Sequence, residues 1–152
     1  SVFLVLMDYK HKREKIRYGN FCFKQIQGLN HHDIAFLEMY RLYEPMDNSD
    51  IRNVAVVTSK TESIDFRNIL KAIGNTDFPP REPRLDKNGV LTSKEVFFVN
   101  RDRKLIFHMY DDRGLDIIAS NIEQLRPLYN QYNNWLLDYN REKMDHLFMI
   151  RD

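Results

Sequence analysis

Glu95-Val96-Phe97-Phe98-Val99-Asn100, then Arg101-Asp102-Arg103, then Lys104-Leu105-Ile106-Phe107-His108-Met109-Tyr110, then Asp111-Asp112-Arg113-Gly114, then Leu115-Asp116-Ile117-Ile118-Ala119: this stretch decides the fold. Three segments rich in β-branched and aromatic residues are separated by short clusters of Asp, Arg and Gly, the pattern of strands joined by tight turns. An antiparallel meander over 95–119 is predicted. Along its middle segment Leu105, Phe107 and Met109 share one face, while Ile106, His108 and Tyr110 share the other. Both faces are apolar enough to be covered.

Upstream, the valine-rich run 53–59 reads as a central strand. A helix over 63–74 follows, with Thr61 or Ser63 as its cap and Phe66, Ile69, Leu70 and Ile73 as its buried stripe. Gly74 suits a left-handed C-terminal residue. If this helix is a crossover, strands 53–59 and 95–100 run parallel. Residues 2–8 and 16–23 read as strands of an N-terminal hairpin, with the charged run 10–15 as the turn. Asp33 is a plausible N-cap for a helix over 34–43, in which Phe36, Met39, Tyr40 and Tyr43 fall at helical spacing before Pro45.

Pro79, Pro80, Pro83 and Gly89 make 76–94 a long surface connection. Downstream, Ser120 and Glu123 form a capping-box pattern for a helix over 121–137 that carries Leu125, Leu128, Tyr129 and Tyr132, with Pro127 weakening its first turns. A break at Asp138 to Asn140 precedes a last helix over 141–149 bearing Met144, Leu147 and Phe148. The chain is therefore expected to be α+β: a mixed, mostly antiparallel sheet with a C-terminal meander, packed by about four helices.

At 152 residues and 43% hydrophobic, the chain is long and apolar enough for one domain spanning 1–152 without disulfides or structural metal. It opens at Ser1 directly into a strand-like run, which suits an N-terminally incomplete domain. A formal charge of +1 provides no net field for phosphate backbones or anionic lipid, so general nucleic-acid binding is disfavoured. The run 2–7 is far shorter than the ~20 residues of a membrane span. The single cysteine, Cys22, cannot form an internal disulfide, and a cytoplasmic protein without cofactor is expected.

His108, Tyr110, Asp111, Asp112, Arg113 and Asp116 bring an imidazole, carboxylates and a guanidinium within ten residues. In one reading Asp111 and Asp112 hold a divalent metal, His108 transfers protons and Arg113 steadies an anion, the outline of a metal-dependent hydrolase or phosphate-handling enzyme. In the other, Asp111 to Gly114 is an ordinary turn, and the segment, with Trp135, is a surface for a protein partner. Both stay open, with the balance toward a non-catalytic recognition module, toxin neutralisation by capping being one form of it. His31-His32-Asp33 reads as loop and cap, and Asp102-Arg103-Lys104 as a turn. Pro80-Arg81-Glu82-Pro83-Arg84 has the form of a polyproline ligand. Tyr129, Tyr132, Trp135 and Tyr139 form an aromatic stripe of the kind usually found in cores. A Gly-rich phosphate loop, a G-x-S-x-G elbow, an H-E-x-x-H motif and paired C-x-x-C motifs are all absent from the sequence.

Four segments carry a family likeness: Leu70-Lys71-Ala72-Ile73-Gly74-Asn75-Thr76-Asp77-Phe78-Pro79-Pro80; Val96-Phe97-Phe98-Val99-Asn100; Tyr110-Asp111-Asp112-Arg113-Gly114-Leu115-Asp116-Ile117-Ile118-Ala119; and Tyr132-Asn133-Asn134-Trp135-Leu136-Leu137-Asp138-Tyr139-Asn140-Arg141. Over about 52–152 the chain resembles the bacterial family DUF3885, whose function is unknown. The resemblance implies a bacterial cytosolic protein and draws interest to Tyr110 through Asp116, but names no substrate. Asn140 stands where the family pattern tends to have aspartate.

Overall fold

The computed structural model describes residues 1–9, 15–86 and 94–149. Its centre is a six-stranded sheet in the order β2-β3-β1-β4-β5-β6, with every pairing antiparallel. The strands are β1 Val2–Tyr9, β2 Ile34–Tyr40, β3 Ile51–Ser59, β4 Glu95–Asn100, β5 Leu105–Met109 and β6 Leu115–Ala119. The helices are α1 Phe21–Lys24, α2 Phe66–Gly74, α3 Ile122–Tyr132 and α4 Asp138–Met149. The meander β4-β5-β6 lies where its turn chemistry puts it. β3 and β4 do run parallel, but β1 is inserted between them and pairs with both.

Strand alternation divides the sheet into two unlike faces. Leu4 and Leu6 of β1 pair with Val57 and Ala55 of β3 on one side and with Phe98 and Val96 of β4 on the other. All six are buried. They join Cys22 and Phe23 of α1 and Ile69, Ala72 and Ile73 of α2 in the core, against which Phe107 and Met109 of β5 pack. Full burial of each large side chain contributes roughly 1.5–3 kcal/mol.

The intervening residues face away from this core. Phe3 stands between Thr58 and Val99, and Val99 is followed across the sheet by Ile106 and Ile118. One pleat along, Val5 stands between Val56 and Phe97, and Phe97 is followed by His108 and Asp116. Phe3, Val5, Val56, Phe97, Val99 and Ile106 are only half-buried, and Ile118 is 57% exposed. Neither the core nor the side chains packed on it include any of them. Both faces of the sheet are apolar, as the alternation predicts: α1 and α2 pack on the face of Leu4 and Leu6, and on the other face Met7 and Val54 are buried.

Two N-terminal expectations are corrected. Residues 16–23 form no second hairpin strand: Asn20 accepts a hydrogen bond from Phe23 N at 3.1 Å and caps α1. Tyr18, Gly19 and Asn20 carry the turn chemistry that interrupts the strand. Residues 10–14 of the expected turn lie outside the described residues. Second, 34–40 is strand and not helix. Ile34, Ala35, Phe36 and Leu37 are apolar on consecutive positions and fit either period, and pairing with β3 supplies the hydrogen bonds that decide between them. Asn30, and not Asp33, is the N-cap of a short 3₁₀ turn at His31–Asp33, and the Asp33 carboxylate accepts back from Asn30 N at 3.0 Å.

Helix ends also shift. Asp65, and neither Thr61 nor Ser63, caps α2 by accepting from Asn68 N at 3.0 Å. Gly74 lies inside α2, and Asn75 follows it with φ −87°, so no left-handed residue ends this helix. Asn121 takes the cap of α3 in place of Ser120, with Gln124 N 3.1 Å away. Glu123 turns instead to Arg126. α3 ends at Tyr132, five residues before the expected end, and α4 begins at Asp138 rather than after Asn140.

Candidate functional site at the β5–β6 apex

The turn from Tyr110 to Gly114 closes through Tyr110 N donating to Gly114 O at 3.3 Å. Asp111 organises it: its Oδ1 accepts from Arg113 N at 2.7 Å and its Oδ2 from Arg113 Nε at 2.8 Å. These bonds from Arg113 hold the Asp111 carboxyl below its usual range and push the Arg113 guanidinium up. A Cβ built on Gly114 would lie 2.5 Å from the Tyr110 Oη, so the turn has room there only for glycine unless the tyrosine ring swings away.

The apex meets a residue that sequence reading did not select. Asp77, in the connection after α2, offers a carboxylate oxygen within 4.8 Å of those of Asp111 and Asp112. Arg113 Nη2 binds that Asp77 carboxylate at 3.2 Å. Three carboxylates thus converge, and a guanidinium from the same turn already neutralises two of them. Asp77 lies in the first of the four family segments, yet nothing there pairs it with Asp111 and Asp112, because the convergence is made by the fold.

His108 is not part of this group. It points to the sheet face opposite that of Phe107 and Met109, stacked on Phe97 at 4.0 Å between centroids with its ring edge-on to Tyr110. Its Nε2 is buried without a hydrogen-bond partner. Burial pushes its pKa below the usual imidazole value, against opposing pulls from Glu95 and Asp116. It borders a separate cavity of about 410 Å³ with Tyr43, Arg52 and Glu95. There Arg52 is buried, 3.1 Å from Asp50 and 3.7 Å from Glu95, under the Tyr43 ring. Asp50 also accepts from Tyr43 N at 2.7 Å and Glu44 N at 3.0 Å, and the backbone N–H of Glu44, then that of Tyr43, lower its pKa most. This network escaped sequence reading because a strand arginine carries no motif.

Tyr110 through Asp116 form one wall of an open cleft of about 430 Å³. Leu125, Leu128 and Tyr129 of α3, Trp135 and Leu137 of the link, and Met144 and Phe148 of α4 form the opposite wall. This helical pair is held by the stacking of Tyr129 on Phe148 at 4.1 Å, the Tyr129 hydroxyl on Asp145, and Arg126 donating to Phe148 O at 2.7 Å. Arg141 ties the link by donating to Asn133 Oδ1 at 2.9 Å and Asn133 O at 3.1 Å. Neither helix contains a buried residue. The expected core stripe is thereby corrected: Trp135 is 71% and Tyr139 94% exposed, since the helix breaks between Tyr132 and Asp138 and breaks the stripe with it.

The remaining candidates settle into structural places. Asp102, Arg103 and Lys104 sit in the exposed β4–β5 turn, and His31 and His32 are exposed. Arg84 of the polyproline-like string is buried, donating to Asn75 O at 2.7 Å and Thr76 O at 3.0 Å, so it caps the end of α2. Residues 87–93 of the connection lie outside the described residues.

The family model described as "Domain of unknown function (DUF3885)" matches residues 1–140. The chain belongs to this family. The match takes in the first fifty residues, which the motif resemblance did not reach, and ends within α4. The chain is also 30% identical over 143 residues to the "Uncharacterized protein YnaE" of Bacillus subtilis strain 168, an overlap of 91% of this chain and 66% of that protein. The chain thus spans just under two thirds of that relative's length. No solved structure matches it significantly. Among the described residues, no helix is long and apolar enough to cross a membrane.

Proposed function

We propose that this DUF3885 domain is a non-catalytic recognition module of the bacterial cytosol that seats a protein partner in the cleft between the β5–β6 apex and the α3–α4 pair. The observation that carries this reading is the composition of the cleft. Tyr110, Tyr132 and Trp135 are exposed around an apolar lining, and such aromatic side chains dominate the energetics of protein interfaces. The groups that would make the apex an enzyme are separated, with His108 bordering another cavity. Cys22 suits a reducing compartment: burial pushes its thiol up to about 12, so it stays protonated. Neutralising a toxin by capping it is one form such recognition takes.

The test is site-specific photocrosslinking in bacterial cells, with a benzophenone amino acid at Trp135 and, as control, at Thr58 on the opposite sheet face. One discrete protein adduct from position 135 alone is expected, and its loss on Leu128→Glu would place the contact in the cleft. An identical adduct pattern from both positions, or none from either, would remove the proposal.

A second reading is favoured by the convergence of Asp77, Asp111 and Asp112. In it a divalent cation displaces Arg113, and the freed guanidinium holds an anionic substrate beside the metal. His108 has no part in this version of the enzyme hypothesis. Thermal melts with divalent ions separate it from the first.

A further inference from the structure

We infer that the protein partner of the cleft enters it as an extended segment that adds a strand to the free edge of β6. The inference rests on the recognition reading and names the form that partner takes. Tyr110 N bonds to Gly114 O and Ser120 N to Lys104 O, each at 3.3 Å, at the two ends of the β5–β6 ladder. In an antiparallel pair, residues that exchange hydrogen bonds alternate with residues that do not. Asp116 and Ile118 therefore turn their N–H and C=O groups to β5, opposite His108 and Ile106. Leu115, Ile117 and Ala119 turn theirs outward. β6 is the outermost strand, and among the described residues nothing bonds to these outward groups.

A row of unpaired donors and acceptors at strand spacing is a template for another extended chain. Sheet edges are commonly guarded by lysine, proline or a bulge. β6 has none of these: it reads Leu-Asp-Ile-Ile-Ala and pairs with β5 in unbroken register. The cleft lies against this strand, because Leu115 and Ile117 share a face with Met109 and all three line it. Residues of an added strand opposite Leu115 and Ile117 thus enter the apolar lining that contains Leu128 and Trp135. The residue between them falls opposite Asp116, on the other face. Charge fixes its type. The cleft is lined by three carboxylates, those of Asp111, Asp112 and Asp116, against one guanidinium, that of Arg113, and by no lysine. Arg113 is committed to Asp111 and Asp77, while Asp112 makes no hydrogen bond or salt bridge among the described residues. The segment recognised therefore carries an apolar, a basic and an apolar residue in succession, with Lys or Arg opposite Asp116, since opposite charges paired across strands attract.

Panning phage-displayed random dodecapeptides on the 152-residue chain, and titrating the enriched sequences as synthetic peptides, tests the inference. The enriched peptides should share that three-residue pattern, and Leu128→Glu should weaken their binding at least tenfold. Panning on Asp116→Lys should select Asp or Glu in place of the basic residue. Bound peptide should slow hydrogen exchange at the Leu115, Ile117 and Ala119 amides at least tenfold, a readout that a helix lying in the cleft would not move. Ile117→Pro removes an outward N–H and no ladder bond to β5, so it should weaken binding at least tenfold while keeping the circular dichroism of the native chain. Peptides that depend on Leu128 but carry apolar residues at helical spacing and leave the β6 amides unprotected would overturn strand addition and leave the recognition reading standing. No enrichment, or peptides indifferent to Leu128→Glu, would overturn the inference and count against the cleft itself.

Discussion

The Arg113 guanidinium lies 3.2 Å from the Asp77 carboxylate, thirty-six residues away in sequence, while it also holds Asp111. This places a cation inside the cluster of the Asp77, Asp111 and Asp112 carboxylates. Under the recognition reading, Mg, Mn, Zn and Ca ions leave the thermal melt of the native chain unchanged. Asp111→Asn/Asp112→Asn then destabilises by about one hydrogen bond, ~1 kcal/mol. Under the enzyme reading, one of these ions raises the melting temperature of the native chain and not that of the variant, because binding to the folded state stabilises it by mass action. Arg113→Gln sharpens the comparison: it exposes three carboxylates to one another and should sensitise the melt to divalent ions under either reading.

A second prediction concerns His108. Its folded-state pKa is lowered, chiefly by burial, so below the ordinary value of 6.5 the unfolded chain binds the proton more readily than the folded one. Its contribution is fully present above 6.5 and is lost as pH falls from there toward the lower folded value. Urea midpoints should therefore drop between pH 7 and pH 5.5. His108→Phe should flatten that part of the profile, and an equally steep profile in the variant would assign the drop to other groups.

Asp50 predicts a separate acid limb. Its carboxyl is held below the ordinary 3.8 by the N–H groups of Glu44 and Tyr43 and by Arg52. The contribution is complete above that value and is lost as pH falls below it through the folded-state value. Asp50→Asn should lower the urea midpoint at neutral pH and make it less dependent on pH below about 4. A variant as stable as the native chain at neutral pH would refute the structural role given to this network.

How much of this could be read from sequence depended on how local the deciding interaction was. β4, β5 and β6 were legible because Asp111 to Gly114 and Arg101 to Lys104 are turns with their own chemistry. α2 was legible because Phe66, Ile69, Leu70 and Ile73 keep one period. β2 was not, since Phe36, Met39 and Tyr40 satisfy helical spacing and only the ladder with β3 rejects it. At the apex the Asp111–Arg113 bond is local and lay within the segment selected. Asp77 entered through the path of the chain after α2, and His108 left through strand alternation once the neighbouring strands were paired.

The two faces of β1 make a paired prediction. Leu4 is wholly buried between Val57 and Phe98, whereas Val5, the next residue, is half-buried on the opposite face. Leu4→Ala should cost ~2–5 kcal/mol, because the space it leaves is walled by core side chains that relax only in part. Val5→Ala should cost under ~1 kcal/mol, because its methyl groups are only partly removed from water. Denaturant titrations of the two variants check this, and comparable losses would mean that both faces are packed.

The last prediction follows from how differently the two ends of the sheet are held. β1 and β3 share an eight-residue ladder at the centre, with α2 packed above it. α3 and α4 contain no buried residue and are joined by stacking and by single hydrogen bonds such as Arg126 to Phe148 O. Opening the helical pair therefore exposes little apolar surface, and local opening free energies track what is exposed. Native-state hydrogen exchange should find the amides of Leu4, Leu6, Ala55 and Val57 exchanging only with global unfolding. Those of Leu128 and Leu147 should exchange at least a hundredfold faster. Arg141→Ala, which releases Asn133 and the link, should accelerate α3 and α4 while leaving the β1–β3 amides unchanged. A partner seated in the cleft would reverse the order of effects, slowing α3 and α4 toward the rate of the sheet. Equal protection of helices and sheet in the isolated chain would show that the pair is already fixed, and that the cleft is a rigid feature of the fold.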